Sequence, residues 1–187
     1  MHNLTERLLA EIPTGSKVLD VGCGMSGYLT EMQSIADLHL LDAHLPYLQR
    51  APLLRPAPMF VGTAQTILPL FGDKVFDVAT AFDMPEHLSP YDAVNTINEM
   101  RRIAKKVVLF IPEGNHPQTE DYFKVGGDFW QTHRSTWNLR DYGLEVSAVD
   151  GQSPTQVIYG TGWKIERWEG FHSVEGKDPN ALFIVSQ

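Results

Sequence analysis

Asp20 stands two residues ahead of the first glycine in Asp20-Val21-Gly22-Cys23-Gly24, and that acid sets the chemistry of the turn. A buried strand that breaks into glycines and opens a helix presents backbone N–H groups and a helix N-terminus to a ligand, the usual seat of a nucleotide-type cofactor. Gly22, Gly24 and Gly27 also satisfy the dinucleotide pattern G-x-G-x-x-G. A carboxylate beside that turn repels a pyrophosphate, however, and suits a ligand that arrives with positive charge. The apolar run Leu38-His39-Leu40-Leu41 ends in Asp42, 22 residues after Asp20. An acid at the end of the second strand of a doubly wound fold reaches ribose hydroxyls, and its two oxygens can accept from the 2′ and 3′ groups together. Further along, Asp83, Glu86 and His87 follow another apolar run and offer hard oxygen donors and one imidazole.

The glycine turn resembles the first motif, D-x-G-x-G, of the class I S-adenosylmethionine-dependent methyltransferases. Adenosylmethionine carries a sulfonium and an ammonium group and no phosphate, so Asp20 becomes an asset. The resemblance implies a doubly wound α/β fold with a mostly parallel seven-stranded sheet. Its last strand is expected to run antiparallel, inserted between its two predecessors. The resemblance also implies cofactor contacts from Asp20, Gly22, Cys23 and Gly24 in the turn, from Asp42 and Ala43 at the ribose, from Thr63 and Ala64 near adenine, and from Asp83. Two departures bear on this. Ser26 then Gly27 stand where many relatives have a glycine one position earlier, so either the turn is a residue longer or Ser26 caps the helix. Thr63 stands where relatives often carry an acid, leaving its hydroxyl and the Ala64 N–H to meet the adenine ring.

Methyl transfer is a displacement on a carbon already activated by the sulfonium. The protein must align the acceptor in line and, for a hydroxyl or amine, remove a proton. Asp83-Met84-Pro85-Glu86-His87-Leu88 resembles the D-x-x-E-H-L stretch of small-molecule members, which makes His87 the leading base and His133 the second candidate. The plainer roles are a capping imidazole for His87 and a backbone-bonded one for His133. In some quinone O-methyltransferases a related acid-x-x-Glu-His segment binds a divalent metal; the segment also occurs in relatives with no known metal, and none is expected here. His133 lies in Trp130-Gln131-Thr132-His133-Arg134-Ser135-Thr136-Trp137, which resembles a His-x-x-x-Trp feature near the substrate mouth of some relatives. It is expected to precede a short helix capped by Ser135 or Thr136 and ended at Gly143. The connection 112–137, with Glu113, Asn115, His116, Tyr122, Phe123, Phe129 and Trp130, is expected to build the acceptor pocket. The connection 151–180 adds Tyr159, Trp163, Trp168, Phe171 and His172, which either stack on a planar acceptor or form a satellite core or dimer contact. A turn at Gly160-Thr161-Gly162 is expected to join two short strands there.

These residues need strands and helices to place them, and the pattern supplies both. Val18–Val21, 59–61, 75–82, 107–111, 144–149 and 181–185 read as strands. Helix 89–104 opens on Ser89 and Pro90 and carries a stripe of Tyr91, Val94, Ile97, Met100 and Ile103. Leu4, Leu8, Leu9 and Ile12 mark one face of an N-terminal amphipathic helix. At 187 residues the chain has single-domain length, and one domain over 1–187 is expected. No apolar run reaches membrane-spanning length, no signal-peptide pattern opens the chain, and the single cysteine fits a reducing cytoplasm. Cys23 reads as a small packed residue ahead of a nucleophile. The net charge is −8, and the densest bases, Arg101-Arg102 and Lys105-Lys106, suit a helix C-terminus better than a nucleic-acid footprint.

The residues thus point to an S-adenosylmethionine-dependent methyltransferase acting at oxygen or nitrogen of a small-molecule or sugar-type acceptor. A homodimer, methylation of a protein or glycan, a non-catalytic adenosylmethionine- or adenosylhomocysteine-binding subunit, and a nicotinamide-dependent oxidoreductase stay open as alternatives.

Overall fold

The computed structural model describes residues 4–160, 162–168 and 181–186. In chain order the elements are α1 (Leu4–Leu9), β1 (Lys17–Val21), α2 (Tyr28–Ile35), β2 (Asp37–Asp42), α3 (Leu45–Arg50), β3 (Met59–Val61), α4 (Ala64–Ile67) and β4 (Phe76–Phe82). They continue as α5 (Pro90–Ile103), β5 (Ala104–Pro112), α6 (Asp128–Gln131), β6 (Ser135–Arg140), β7 (Gly143–Ala148), β8 (Gln156–Tyr159), β9 (Trp163–Trp168) and β10 (Ala181–Ser186). Phe171, His172 and Thr161 lie outside the described residues.

One sheet of seven strands has the order β3-β2-β1-β4-β5-β10-β9, and a second of three has the order β6-β7-β8. β1 pairs in parallel with β2 and β4, β2 pairs in parallel with β3, and β10 runs antiparallel to β9. This is the mostly parallel doubly wound sheet expected from the residues, with β10 inserted between β5 and β9. Segment 144–149, read as its other neighbour, belongs elsewhere: as β7 it lies between β6 and β8. Burial explains the difference. All of Ala181–Val185 is buried, as in a strand covered on both faces, whereas β7 buries Leu144 and Val146 and leaves Glu145 and Ser147 partly exposed.

The helix expected after His133 is the strand β6. Ser135 and Trp137 are buried while Thr136 and Asn138 are partly exposed, a period of two carried by residues that favour strands. Asp141 and Tyr142 turn the chain into β7, with Arg140 opposite Gly143. Helix α5 does start at Pro90, and the Ser89 hydroxyl accepts the Asp92 N–H at 3.2 Å. Its buried face is Pro90, Ala93, Thr96, Ile97, Met100 and Ile103, while Tyr91 is 67% exposed and Val94 partly exposed, so the stripe is rotated off the first two apolar residues expected to carry it.

The chain forms two compact units, 1–81 with 99–108 and 82–98 with 109–187. In the first, Val18, Leu19, Leu38, Leu40, Leu41, Val78 and Ala79 fill the sheet, and Leu29, Met32 and Leu48 come from helices α2 and α3. Buried Gln33 holds the proline-rich connection: its Oε1 accepts the Leu54 and Arg55 N–H groups at 2.7 and 3.1 Å, and its Nε2 donates to the Arg55 carbonyl at 2.7 Å. Leu8 and Ile12 are buried as the amphipathic reading requires. Of the basic cluster, Arg102 binds Glu99 and Asp73, Lys105 binds Asp77 and Lys106 binds Glu11. In the second unit Trp137 is fully buried, and its indole donates to the Ser135 hydroxyl at 3.1 Å. Among the described residues, no helix is long and apolar enough to cross a membrane.

Candidate active site

β1 carries a buried acid next to its last residue, Val21. Asp20 lies opposite Leu40 of β2 and Thr80 of β4. The Thr80 hydroxyl donates to Asp20 Oδ1 at 2.5 Å, and the Tyr28 hydroxyl from α2 sits 3.4 Å from Oδ2. Burial, only partly offset by these two hydroxyls and reinforced by Asp42, raises the Asp20 carboxyl to about 7. Thr80 is a polar residue in the buried half of β4, and only the register between β1 and β4 makes it the partner of Asp20.

The glycine turn is then tied to the end of β2. Gly22 (φ 72°) and Gly24 (φ 55°) are left-handed, a conformation that a Cβ disfavours. The Gly22 and Cys23 N–H groups donate to the Leu41 carbonyl at 2.8 and 3.2 Å, and the Gly24 N–H donates to Asp42 Oδ2 at 3.0 Å. Asp42 Oδ1 accepts the His44 N–H at 2.8 Å. Each Asp42 oxygen keeps a lone pair for a hydroxyl. A pyrophosphate here would meet two carboxylates, with the amides of residues 22–24 already committed. The turn therefore disfavours a dinucleotide and fits a cationic nucleoside cofactor. The turn is one residue longer than the usual motif, with Gly27 rather than Ser26 at the N-cap of α2.

Cys23 is fully buried, and burial followed by the charges of Asp42 and Asp20 pushes its thiol well above its usual range, which suits packing and not nucleophilic attack. Ala43 is half-buried and follows Asp42 directly. Thr63 is the N-cap residue of α4, its hydroxyl 3.1 Å from that of Thr66, and Ala64 is buried at the helix start. Asp42→Ala is expected to weaken the cofactor about tenfold, while Asp42→Asn, whose one oxygen still accepts one of the Gly24 and His44 amides, costs less. Calorimetric titration of both variants checks this.

In the second unit, Asp83 follows β4 with φ 48°, and its N–H donates to the Phe110 carbonyl at 2.9 Å. Pro85–His87 form a single 3-10 turn that buries both Glu86 and His87. Arg134 fastens the turn: its N–H donates to the Glu86 carbonyl and its guanidinium to the His87 carbonyl, both at 2.8 Å. The His87 and His133 rings meet edge to face with centroids 4.8 Å apart, so the two candidate bases stand side by side. Burial, then the neighbouring His133, pushes His87 down to about 3. Burial and the charge of Asp83 hold Glu86 well above the carboxylate range. Arg134 was not singled out from the sequence; a lone arginine beside a histidine carries no signal until the turn it staples is known.

The connection that follows is ordered around one acid. The buried Asp121 carboxylate accepts the N–H groups of Phe123, Val125 and Gly127 at 2.8, 2.6 and 3.0 Å. This loop leaves Tyr122 and Phe129 exposed. Glu113, expected at the acceptor, pairs with Arg167 of β9 through both carboxylate oxygens.

A doubly wound sheet whose first two strands end in buried acids around an Asp-x-Gly-x-Gly turn defines a nucleoside-cofactor-binding α/β protein. Residues 19–111 match a family described as a methyltransferase domain. Over those residues the chain carries a methyltransferase domain, consistent with the class I S-adenosylmethionine-dependent methyltransferases. No curated protein matches it in sequence. Solved structures share its fold. A TehB-like S-adenosylmethionine-dependent methyltransferase from Corynebacterium glutamicum is 18% identical, with 100% of this chain and 88% of that one covered and a TM-score of 0.56. CalS10, an amino pentose methyltransferase from Micromonospora echinaspora solved with S-adenosylmethionine, is 17% identical over 98% of this chain and 89% of that one, with a TM-score of 0.56. Magnesium protoporphyrin IX methyltransferase from Synechocystis PCC 6803, also with bound S-adenosylmethionine, is 16% identical over 98% and 76%, with a TM-score of 0.55.

Proposed function

We propose that residues 1–187 act as one cytoplasmic domain that moves the methyl group of adenosylmethionine to an oxygen or nitrogen of a small-molecule or sugar-type acceptor. The observation that carries the reading is the glycine turn with its amides donated to Leu41 and Asp42 and two buried carboxylates beside it. That surrounding favours a ligand with positive charge and ribose hydroxyls and disfavours one with phosphates. The bound cofactor supplies a methyl carbon activated by its sulfonium. Asp20 offers it a counter-charge, and Asp42 takes its ribose. Parallel sheets bind ligands at the carboxyl ends of their strands, and Asp83 and the His87 turn follow such an end. The small-molecule reading draws support from the net charge of −8, which disfavours a polyanion, and from the exposed aromatics Tyr122 and Phe129, which can stack on an acceptor. An acceptor oxygen or nitrogen that carries a proton needs a partner to receive it, and His87 with His133 is the pair assigned that role. At pH 7 His87 is neutral and open to a proton, although its burial makes it a weak base.

The test is transfer of a labelled methyl group to a panel of hydroxyl, amine and sugar acceptors. His87→Ala is expected to lower turnover on the accepted compound about 100-fold, with the dissociation constant of the cofactor unchanged. A full rate in that variant removes His87 from the chemistry. Cofactor binding without turnover on any acceptor favours the non-catalytic reading instead.

A further inference from the structure

The Pro85–His87 turn buries two polar atoms that no described residue satisfies. Glu86 is 2% exposed and His87 8%, and neither Glu86 Oε2 nor His87 Nδ1 has a hydrogen-bond partner among the described residues. Buried polar atoms are normally paired, so two orphans on adjacent residues require an explanation. One donor atom from each of Glu86, His87 and His133 lies within 4.8 Å of those of the other two. The backbone is already fixed around them, because Arg134 bonds both the Glu86 and His87 carbonyls and the His133 N–H donates to the Gln118 carbonyl at 2.9 Å.

We propose that Glu86, His87 and His133 form a binding site for a divalent transition-type cation such as Zn2+, Mn2+ or Fe2+. A cation satisfies a carboxylate oxygen and an imidazole nitrogen together, and by binding the carboxylate it favours the ionised form of Glu86 that burial otherwise opposes. Two imidazoles and one carboxylate suit borderline metals, whereas Mg2+ takes oxygen ligands in a near-ideal octahedron. Bonds of about 2.0–2.2 Å place donors about 3.5 Å apart, so a bound ion draws the three side chains slightly inward. Three protein ligands leave a coordination position open for a water or an acceptor oxygen. The donor set is not that of the Asp83-x-x-Glu86-His87 motif: Asp83 is outside it, and His133 enters from the connection that precedes β6. With a metal in place the two imidazoles act as ligands and no longer as proton acceptors, and an acceptor oxygen would be polarised by the cation. The site stands on these donors alone and does not rest on the methyl-transfer reading.

The experiment uses the untagged chain after dialysis against a chelator. Titration with Co2+ is followed by its visible d–d absorption, and Zn2+, Mn2+ and Mg2+ are compared by calorimetry. The expected result is one equivalent of Co2+ or Zn2+, bound in preference to Mg2+. Glu86→Gln and His133→Ala each weaken it by about tenfold or more, and Asp83→Asn, which removes a neighbouring charge but no ligand, costs clearly less than either. Glu86→Gln keeps the side-chain shape and His133 is only half-buried, so both variants are suited to folding, which circular dichroism verifies. Absence of stoichiometric uptake overturns the proposal. So does uptake indifferent to both variants, or Mg2+ binding that needs Asp83 and ignores His133. Adenosylmethionine binding is measured on the same samples: cofactor without metal removes this site and leaves methyl transfer standing, and metal without cofactor does the reverse.

Discussion

Asp20→Ala is expected to weaken adenosylmethionine about 100-fold, the scale set by losing a charge-assisted contact of about 1.5–3 kcal/mol. Asp20 is buried near the end of β1 with the Thr80 and Tyr28 hydroxyls and the like charge of Asp42 beside it, so none of these contacts brings a cation to balance its charge. A ligand with a sulfonium and an ammonium group supplies that balance. Adenosylhomocysteine keeps the ammonium and lacks the sulfonium, so the relative loss of the two ligands tells which charge Asp20 faces. Unchanged affinity for both removes Asp20 from the cofactor site.

The same residue makes binding depend on pH. Its carboxyl titrates at about 7 in the folded chain, against about 4 in an unfolded one. A cationic cofactor favours the ionised form, so binding expels the proton and affinity falls as the pH drops through 7. Between pH 8 and pH 6 the dissociation constant is expected to rise roughly tenfold. Asp20→Asn flattens this slope and leaves any contribution from the cofactor's own amine visible. The linkage to folding has the opposite sense. Between about pH 4 and 7 the folded chain binds more protons at this site than the unfolded chain does, so the contribution of Asp20 to stability falls as the pH rises across that window and levels off above it. Thermal melts of the cofactor-free chain at pH 5 and pH 8, with Asp20→Asn as reference, measure it.

Much of this was legible in the residues because parallel strands buried on both faces read as continuous apolar runs. β1, β2, β4 and β5 each contain such a run, antiparallel β10 is buried in the same way, and the acids and glycines at the ends of β1 and β2 announce the turn. The second sheet was harder. Ser-Thr-Trp-Asn-Leu-Arg at 135–140 contains capping residues and a downstream glycine, and those local signals mimic a short helix. Only pairing with β7 settles it as a strand, with buried Trp137 opposite Val146. Segment 144–149 has the composition of a main-sheet strand, and its placement depends on a hairpin partner that propensity does not reveal. The site divides the same way. Asp20 and Asp42 follow from motif spacing, whereas the meeting of His87 with His133 and the stapling by Arg134 are tertiary facts across more than forty residues of chain.

Gly143→Ala should be among the most destabilising single changes in the chain. Gly143 has φ 136°, and a Cβ there would lie 2.2 Å from the Ile158 carbonyl oxygen and 2.6 Å from the Gly160 nitrogen. Both are backbone atoms and cannot rotate aside, and Gly143 is paired with Tyr159 and with Arg140, so relief requires β7 to part from β6 or β8. The expected loss is about 3 kcal/mol or more, which lowers the melting temperature by about 10 °C in a chain of this size. Gly151→Ala is the control: it also imposes a left-handed backbone, φ 68°, but nothing lies within 4 Å of its Cβ, so about 1 kcal/mol is expected. The pair separates collision from conformational strain. It also tests what the small sheet is for. β6 begins one residue after Arg134, which holds the Glu86 and His87 carbonyls, whereas the glycine turn is held by contacts to β2. At a temperature where Gly143→Ala is still folded, turnover should therefore fall while adenosylmethionine affinity stays near that of the parent chain. Equal losses in both would mean that the variant has disturbed the whole fold, and would remove the small sheet as the element that positions the His87 turn.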